Sequence, residues 1–174
     1  MTVVIPASVT AQGNVSAWFV PAIASVTAPT VAEITATGAV DLSCFLMPDW
    51  GGVTADQNKG EDRRFCSTES FDRLGTVKRS IADLVYTYLP QGTSSDPGNK
   101  VYTALPKGAT GFLVLRYGLP TTTALAAAQK VDIIPIKAGA RSKSAQGSDE
   151  FAPLTVTQGL GATGVLVEDS VVAA

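Results

Sequence analysis

Short apolar segments separated by Gly, Pro and Asn run through most of the chain. These frequent turn residues limit the possible folds more than any other feature of the sequence. The sequence has 174 residues, of which 16 are Gly and 10 are Pro. Turn residues at this frequency favour strands joined by turns. Residues 80–89 show the pattern most clearly, because alternate side chains share each face, as a period of two requires. We therefore predict a mainly β protein.

Other segments have the same strand-like composition. Pro90 ends the 80–89 strand, and a turn-rich loop follows over residues 91–99. Pro135 lies inside one segment and cannot donate to a ladder, which predicts an edge strand or a bulge there. The further predicted strands are residues 14–20, 42–47, 65–71, 101–105, 111–117, 131–137, 154–157 and 165–168.

One short helix has a clear start signal. Thr30 followed by Glu33 is a capping box, in which each side chain satisfies the other residue's free amide, and Gly38 can end the helix. A second, Ala-rich helix is predicted over residues 122–129. Strands with one or two such helices predict a two-sheet antiparallel β-sandwich or partial barrel.

The domain organisation follows from length and loop positions. The length fits a single domain over residues 1–174, with extended termini at 1–13 and 169–174. Residues 48–62 are polar and lack periodicity, which predicts a long loop of the kind that usually carries function. Trp50 within this loop would be left in solvent unless a neighbour covers it.

Charge is sorted by position along the chain. No Lys or Arg precedes Lys59 or follows Lys143, whereas the acidic residues are spread throughout. Opposite charges on one surface steer and align subunits, so the pattern suits a protein that binds copies of itself. Chance, or pairing within one subunit, is the alternative. The low pI, near 5.0, argues against a nucleic-acid-binding role for the basic cluster.

Several kinds of active site are excluded by residues that the chain lacks. It has no His, which rules out Ser-His-Asp and Cys-His sites and zinc sites with imidazole ligands. Cys44 and Cys66 are too few for a four-ligand cage, and we predict that both are free, buried thiols, with a disulfide as the alternative. The glycines of residues 159–164 match a dinucleotide motif but precede a strand-like segment, so we interpret them as a bend or bulge. No cofactor, metal or enzymatic activity is predicted.

Nothing in the sequence indicates secretion or membrane insertion. The first ten residues have no basic region, and Pro6 interrupts their apolar run. The chain also lacks the ~18 uninterrupted apolar residues that a membrane span needs. We expect no membrane partner.

Five segments in a fixed order carry a resemblance to a known family. Residues 28–34 lead to 41–44, and the later segments are residues 62–67 followed by Phe71, 83–88 followed by 90–91, 110–118 and 131–136. Their order and spacing resemble those of the major tail protein, or tail tube protein, of long-tailed, siphovirus-like bacteriophages, especially those of actinobacterial hosts. The resemblance covers most of the chain.

The resemblance implies a structural virion protein with its own set of partners. Six copies would close into a ring whose inner strands form one barrel, and rings would stack into a tube that conducts DNA. The implied partners are further copies of the chain, the tape measure protein in the lumen, the tail terminator and distal tail proteins, and double-stranded DNA in non-specific passage. The implied location is the virion tail, after assembly in the host cytoplasm.

The resemblance also implies where subunits touch. In the family a long loop between early strands contacts the next subunit or ring, and residues 48–62 are the matching position. The expected contact residues are Asp49, Trp50, Asp56, Lys59, Glu61, Asp62, Arg63, Arg64, Arg73, Lys78, Arg79, Arg141 and Lys143.

Two other classes of protein remain open on sequence grounds. A capsid decoration protein would share the β-rich, His-free composition but would not form tubes. A monomeric binding module would need exposed aromatics on one strand face, and Tyr86 with Tyr88 could serve, although we expect both in the core.

Overall fold

Nine strands and two short α-helices make up the part of the chain that the computed structural model describes, residues 7–48, 50–144 and 150–174. The strands are β1 Val15–Val20, β2 Val40–Asp41, β3 Val53–Asp62, β4 Phe71–Ile81, β5 Leu84–Thr87, β6 Thr110–Tyr117, β7 Lys130–Ser144, β8 Thr155–Ala162 and β9 Val167–Val171. The helices are α1 Val31–Ile34 and α2 Lys100–Ala104, the latter preceded by a 3-10 turn at Pro97–Asn99.

A curled antiparallel sheet forms the body of the molecule. Its strand order is β2-β1-β6-β7-β8-β5, and β9 also pairs with β7. The second sheet contains only β3 and β4. The predicted mainly β fold, an antiparallel partial barrel with a second sheet and two short helices, is confirmed.

Apolar residues cover both faces of the central strands. In β6, Leu113 and Leu115 pack into one buried cluster with Val101 of α2, whereas Val114 packs into another with Ile34 of α1. Neighbouring side chains of a strand point to opposite faces, so a strand covered on both sides is apolar at most of its positions. The two clusters hold α1 and α2 against the sheet.

Pro135 does not mark an edge strand, which is one of the two alternatives that the sequence predicts. β7 pairs with β6 along one side, and with β9 and then β8 along the other. Pro135 lies where the second side passes from the β9 register, ending at Ile133, to the β8 register, starting at Ile136. Pro135 is paired with Phe112 of β6, but neither β8 nor β9 is paired with it, so a missing amide proton is tolerated at this interruption of the ladder.

The capping box at α1 is confirmed. Thr30 Oγ1 accepts from the Glu33 amide at 3.2 Å, and the Glu33 carboxylate accepts from the Thr30 amide at 2.8 Å. A further bond from the Ala24 amide to this carboxylate contributes most to lowering the pKa of Glu33. The helix ends at Ile34, and Gly38 adopts its positive φ in the following turn.

Three predicted elements differ from the structure because tertiary contacts override local pattern. Residues 101–105 were predicted as a strand but mostly belong to α2, where Val101 and Leu105, four positions apart, are both buried. Residues 42–47 form turns instead of a strand. Residues 122–129 form turns and extended chain instead of a helix, wrapped around the buried side chain of Arg116.

The predicted strand over residues 80–89 is divided between the two sheets. β4 ends at Ile81 and β5 begins at Leu84. Between them, Ala82 donates its amide to Gly52 O at 2.9 Å and accepts from the Trp50 indole at 3.2 Å. The break therefore marks the junction of the small sheet with the body.

Candidate assembly surface

The small sheet is a hairpin that we call the arm, residues 53–81, with its tip at residues 63–70. Val53 pairs with Ile81 at the base and Asp62 with Phe71 near the tip. The predicted loop over residues 48–62 is therefore a strand from Val53 onwards. Its lack of alternation has a physical cause: neither face of the arm is buried along most of its length, so no face selects apolar residues.

Large apolar side chains on the arm are uncovered. Phe71, Leu74 and Val77 of β4 all have more than half of their surface exposed, and Phe65 at the tip is fully exposed at 114%. A two-stranded ribbon without a packing layer is marginally stable in water. These residues are therefore the part of the chain with the clearest need for a partner.

Trp50 fixes the base of the arm to the body. Its ring is half-buried and packs against the main core cluster, while its indole nitrogen donates to Ala82 O. Arg79 of the arm also reaches the body, because its guanidinium lies 2.9 Å from the Glu168 carboxylate. The predicted need for a neighbour to cover Trp50 is thus met in part within its own subunit.

Most of the predicted contact residues come together on the arm. Asp56 pairs with Lys78 across the strands, whereas Glu61 faces Asp72, a like charge. Near the tip, exposed ion pairs join Arg63 to Glu61 at 2.8 Å, Arg64 to Asp62 at 3.2 Å and Arg73 to Asp62 at 3.7 Å. Exposed pairs of this kind each contribute less than ~1 kcal/mol. Because these pairs are weak, the arm charges can exchange them for partners on another molecule.

Arg141 and Lys143 do not belong to the arm but lie in the C-terminal half of β7. The Arg141 guanidinium lies 4.1 Å from the centre of the Tyr102 ring and donates to Tyr102 O and Leu105 O. Lys143 Nζ lies 5.1 Å from the Tyr88 ring, and its bond to the Tyr88 hydroxyl raises the pKa of Lys143. These residues border a cavity of about 360 Å³ between β7 and α2. The structure thus separates them from the other predicted contact residues.

Tyr86 and Tyr88 do not form an exposed aromatic face. Tyr86 is fully buried and donates to Gln158 Oε1 at 3.0 Å, as expected of a core residue. Tyr88 is half-buried and stacks on Tyr102 with their ring centres 5.3 Å apart. A binding module that uses both rings on one strand face is not supported by this arrangement.

A groove of about 650 Å³ opens beside the base of the arm, and we call it the arm-base groove. It runs between the start of β1, the turns of residues 43–48 and the loop that leads into β3. Leu46, Met47, Trp50 and Tyr117 are among the residues that line it, and none of the lining residues that the structure describes is charged.

The two cysteines are free, as predicted, but neither is buried. Cys44 lies in a turn where the adjacent Phe45 packs against the core instead, so the apolar neighbourhood in sequence does not enclose the thiol. Cys66 lies at the arm tip. Asp49, one of the predicted contact residues, lies outside the described residues.

Two features of the arm differ from the sequence-based predictions. Residues 65–71 were read as a strand, whereas residues 63–70 form the exposed turn that carries Phe65. The apolar residues Leu74 and Val77 were not singled out, although Phe71, Leu74 and Val77 recur in a segment rich in charge. Apolar residues in an otherwise charged segment were the available signal.

The described residues show neither a metal-binding cluster nor a helix that could span a membrane. Within residues 7–48, 50–144 and 150–174, no group of three or more Cys, Asp or Glu side chains is placed to hold a metal ion. Among the helices of this described part, none is long and apolar enough to cross a membrane.

Comparison with known proteins adds one finding. A family model described as phage tail tube protein matches residues 2–174, which is nearly the whole chain. Comparison with curated proteins yields no match. The family match spans both the body and the arm.

Proposed function

The chain belongs to the phage tail tube protein family, and from this membership we propose that six copies form a ring and that rings stack into the tube through which DNA leaves the virion. Membership in the family makes the chain a structural component of the virion tail whose copies associate with one another. The family is not one of enzymes. The ring, its sixfold symmetry and the conduit role are our proposal.

The observation that carries the proposal is the uncovered arm. It presents Phe65, Phe71, Leu74 and Val77 to solvent, although the body has its own buried core. An apolar ribbon of this kind gains stability when a second molecule covers it. Because proteins of this family associate with copies of themselves, we propose that another copy of the chain covers the arm.

The remaining partners and the location follow from a tube with a filled lumen. We propose that the tape measure protein occupies the lumen before DNA does, that terminator and distal tail proteins bind the two ends, and that assembly takes place in the host cytoplasm. A lumen that lets DNA slide needs inward side chains that are acidic or small and polar, because these do not hold phosphates. A long-tailed phage of an actinobacterial host remains our proposal for the source, on the sequence resemblance alone.

Electron microscopy of the purified protein tests the proposal. We expect negative-stain images, taken over a range of protein and salt concentrations, to show hollow tubes or stacked rings with sixfold symmetry. Trimers would favour a capsid decoration protein, and a sugar-binding monomer would favour a binding module. Either result would overturn the tube.

We further propose that the charged residues of the arm are contact sites, and charge reversal tests this. Arg63 and Arg64 have side chains about 77% and 69% exposed, so Arg63→Glu with Arg64→Glu will leave the subunit folded but prevent tube formation. Circular dichroism measures folding, and electron microscopy measures tubes. A matched double change of Lys130 and Lys137 to Glu, on the body, serves as the control. Normal tubes from the arm variant would remove these two arginines from the interface.

A further inference from the structure

The arm tip carries an aromatic side chain that no described residue of its own subunit buries. Phe65 is fully exposed, and every described residue from Arg63 to Ser70 is exposed as well. An aromatic ring contributes most to association when it is buried in a pocket near the centre of an interface. Phe65 therefore has the character of an anchor that lacks its receiving site.

The arm-base groove has the character of a receiving site. Its volume of about 650 Å³ lies within the range of pockets that hold a sizeable organic group. Leu46, Met47, Trp50 and Val53 give it an apolar wall, and the half-buried Trp50 ring offers an aromatic surface for edge or stacked contact.

The arm of a subunit cannot place its tip in its own groove. The groove lies at the base of the arm, where Gly52 and Val53 line it, and β3 then runs away from the base for ten residues. At the rise of an extended strand this is roughly 30 Å. The tip that fills the groove must therefore come from another molecule.

We propose that Phe65 of one subunit inserts into the arm-base groove of a second copy of the chain. This inference rests on the proposed function, since it names the surfaces through which tube subunits meet. The contact is head-to-tail: each copy gives its tip to one neighbour and receives a tip from another. A contact of this type repeats without limit or closes into a ring, as tube assembly requires.

Charge supports the same pairing. Arg63 and Arg64 directly precede Phe65 and would arrive at the groove with it. Apart from Tyr117, the described residues that line the groove all lie between Ala11 and Val53, and no Lys or Arg occurs in the sequence before Lys59. Asp41 lies beside the groove, where its carboxylate accepts hydrogen bonds from Ser43, a lining residue. The two arginines thus meet an acidic residue and no lysine or arginine from this segment.

The cysteines provide a direct test. Cys66 follows Phe65 at the tip, and Cys44 follows Ser43 at the groove, and both are exposed. Insertion of Phe65 brings the Cys66 thiol of one copy near the Cys44 thiol of the next. Assembled tubes treated with a short bis-maleimide, which adds a thiol to each of its two rings, will give a ladder of covalent dimers, trimers and higher multimers on denaturing gels.

Single substitutions identify the pair. Cys44→Ser and Cys66→Ser will each form tubes but will each reduce the ladder to monomer. A ladder that ends at the ring number indicates contact within a ring, and one that continues indicates contact between rings; both support the pairing. Dimers alone that persist in Cys44→Ser indicate a tip-to-tip contact, and a cross-link within one chain places the tip at its own groove. Either of these results overturns the inference.

A variant of the anchor separates this inference from the proposed function. Phe65→Ala removes a fully exposed ring, so the subunit will stay folded, whereas tubes will be lost or will need at least tenfold more protein to form. Val165→Ala, at an apolar side chain of the body that is 78% exposed, is the control and will assemble at a concentration near that of the wild type. Wild-type tubes without a ladder would overturn only the pairing. A wild-type chain that never forms tubes would overturn the proposed function together with the pairing.

Discussion

At the scale of single residues, the side chain that organises most structure is Arg116, a buried cation without a carboxylate partner at ion-pair distance in the described part of the chain. Its guanidinium donates to the carbonyls of Pro120, Thr123 and Ala124, to Ser16 Oγ and to Gln129 Oε1, at 2.8 to 3.3 Å. The ring of Trp18 lies 5.4 Å from its central carbon. Burial lowers the pKa of Arg116. Three of the oxygens that replace water around Arg116 are backbone carbonyls of residues 120–124. The same hydrogen bonds hold this segment in place.

Replacing Arg116 with Met will destabilise the subunit by about 3 kcal/mol, because several buried oxygens lose their donor at once. Arg116→Lys will fall between Met and the wild type, since an ammonium reaches fewer of these acceptors. Chemical denaturation measures the free energy of unfolding. Arg73→Met, at a side chain 74% exposed, is the control and should change it by less than ~0.5 kcal/mol. An equal effect of the two Met variants would contradict the structural role of Arg116.

Tyr86 makes the stability of the subunit depend on pH in the alkaline range. Burial is the main cause that raises the pKa of its hydroxyl to about 12 from the ordinary value of 10.0. The unfolded chain releases this proton first, so stability is full below about pH 10 and falls as the pH rises towards 12. Tyr86→Phe will remove this part of the pH dependence and will cost about 1 to 2 kcal/mol at neutral pH, because Gln158 Oε1 loses its donor.

Thermal unfolding at several alkaline pH values compares Tyr86→Phe with the wild type. Tyr117→Phe, at a tyrosine whose ring is half exposed, is the control at neutral pH and should have little effect there. Identical alkaline curves for the wild type and Tyr86→Phe would show that another group carries the pH dependence.

Residue-scale features differ in how far the sequence reveals them. The contact of Thr30 with Glu33 was predicted correctly because both partners lie within one turn of helix. The partners of Arg116 include Ser16, a hundred positions away, and carbonyls that any residue could supply. No sequence pattern encodes such partners, so the role of Arg116 emerges only from the fold.

At the scale of elements, the arm is the segment whose state depends most on assembly. Its strands pair with each other and touch the body only near the base, through residues such as Arg79. Segments with few buried contacts open locally at low free-energy cost. We therefore expect a protease to attack the arm of an isolated subunit first, and under the proposed pairing assembly covers the arm.

Trypsin will cut the free subunit after Arg63 or Arg64 much faster than after Lys137, which lies within the paired part of β7. The same arm bonds will resist cleavage in tubes at equal total protein, because neighbouring copies cover the tip. Mass spectrometry of timed digests identifies the bonds. Equal rates of cleavage at Arg63 and Arg64 in subunits and tubes would place the arm tip outside the interfaces.

The positions of strands were predictable where burial against the body sheet makes the strand apolar. β1, β6 and the first half of β7 pair along the body, and their apolar runs gave their positions within a few residues. The arm was missed because its strands lack a buried face, and α2 was missed because a five-residue apolar run fits a strand or a helix equally well. Whether such a run becomes a strand or a helix depends on how its side chains are buried against the completed sheet.

At the scale of the whole molecule, the body holds the buried core, and we propose that the arm serves association. The buried clusters take only Ile81, and the partly buried Val53, from the arm. Replacing residues 54–80 with Asn-Gly will join these two cross-strand partners by a tight turn. We expect a folded body whose free energy of unfolding is within about 1 kcal/mol of the wild-type value.

This shortened chain will remain monomeric at every concentration at which the wild type forms tubes. Sedimentation velocity measures its mass, and chemical denaturation measures its stability. A shortened chain that does not fold would show that the arm belongs to the core, and one that still forms tubes would show that other surfaces drive assembly.

The register of β1 also sets an order of events during synthesis. Val15 pairs with Tyr117, about a hundred residues further along the chain, and both of them line the arm-base groove. The arm closes from neighbouring residues and can form early, as hairpins do within microseconds. Under the proposed pairing, a growing chain therefore has its anchor before it has a groove that can receive one. An unfinished chain will not accept a further subunit, so a tube lengthens only through completed subunits.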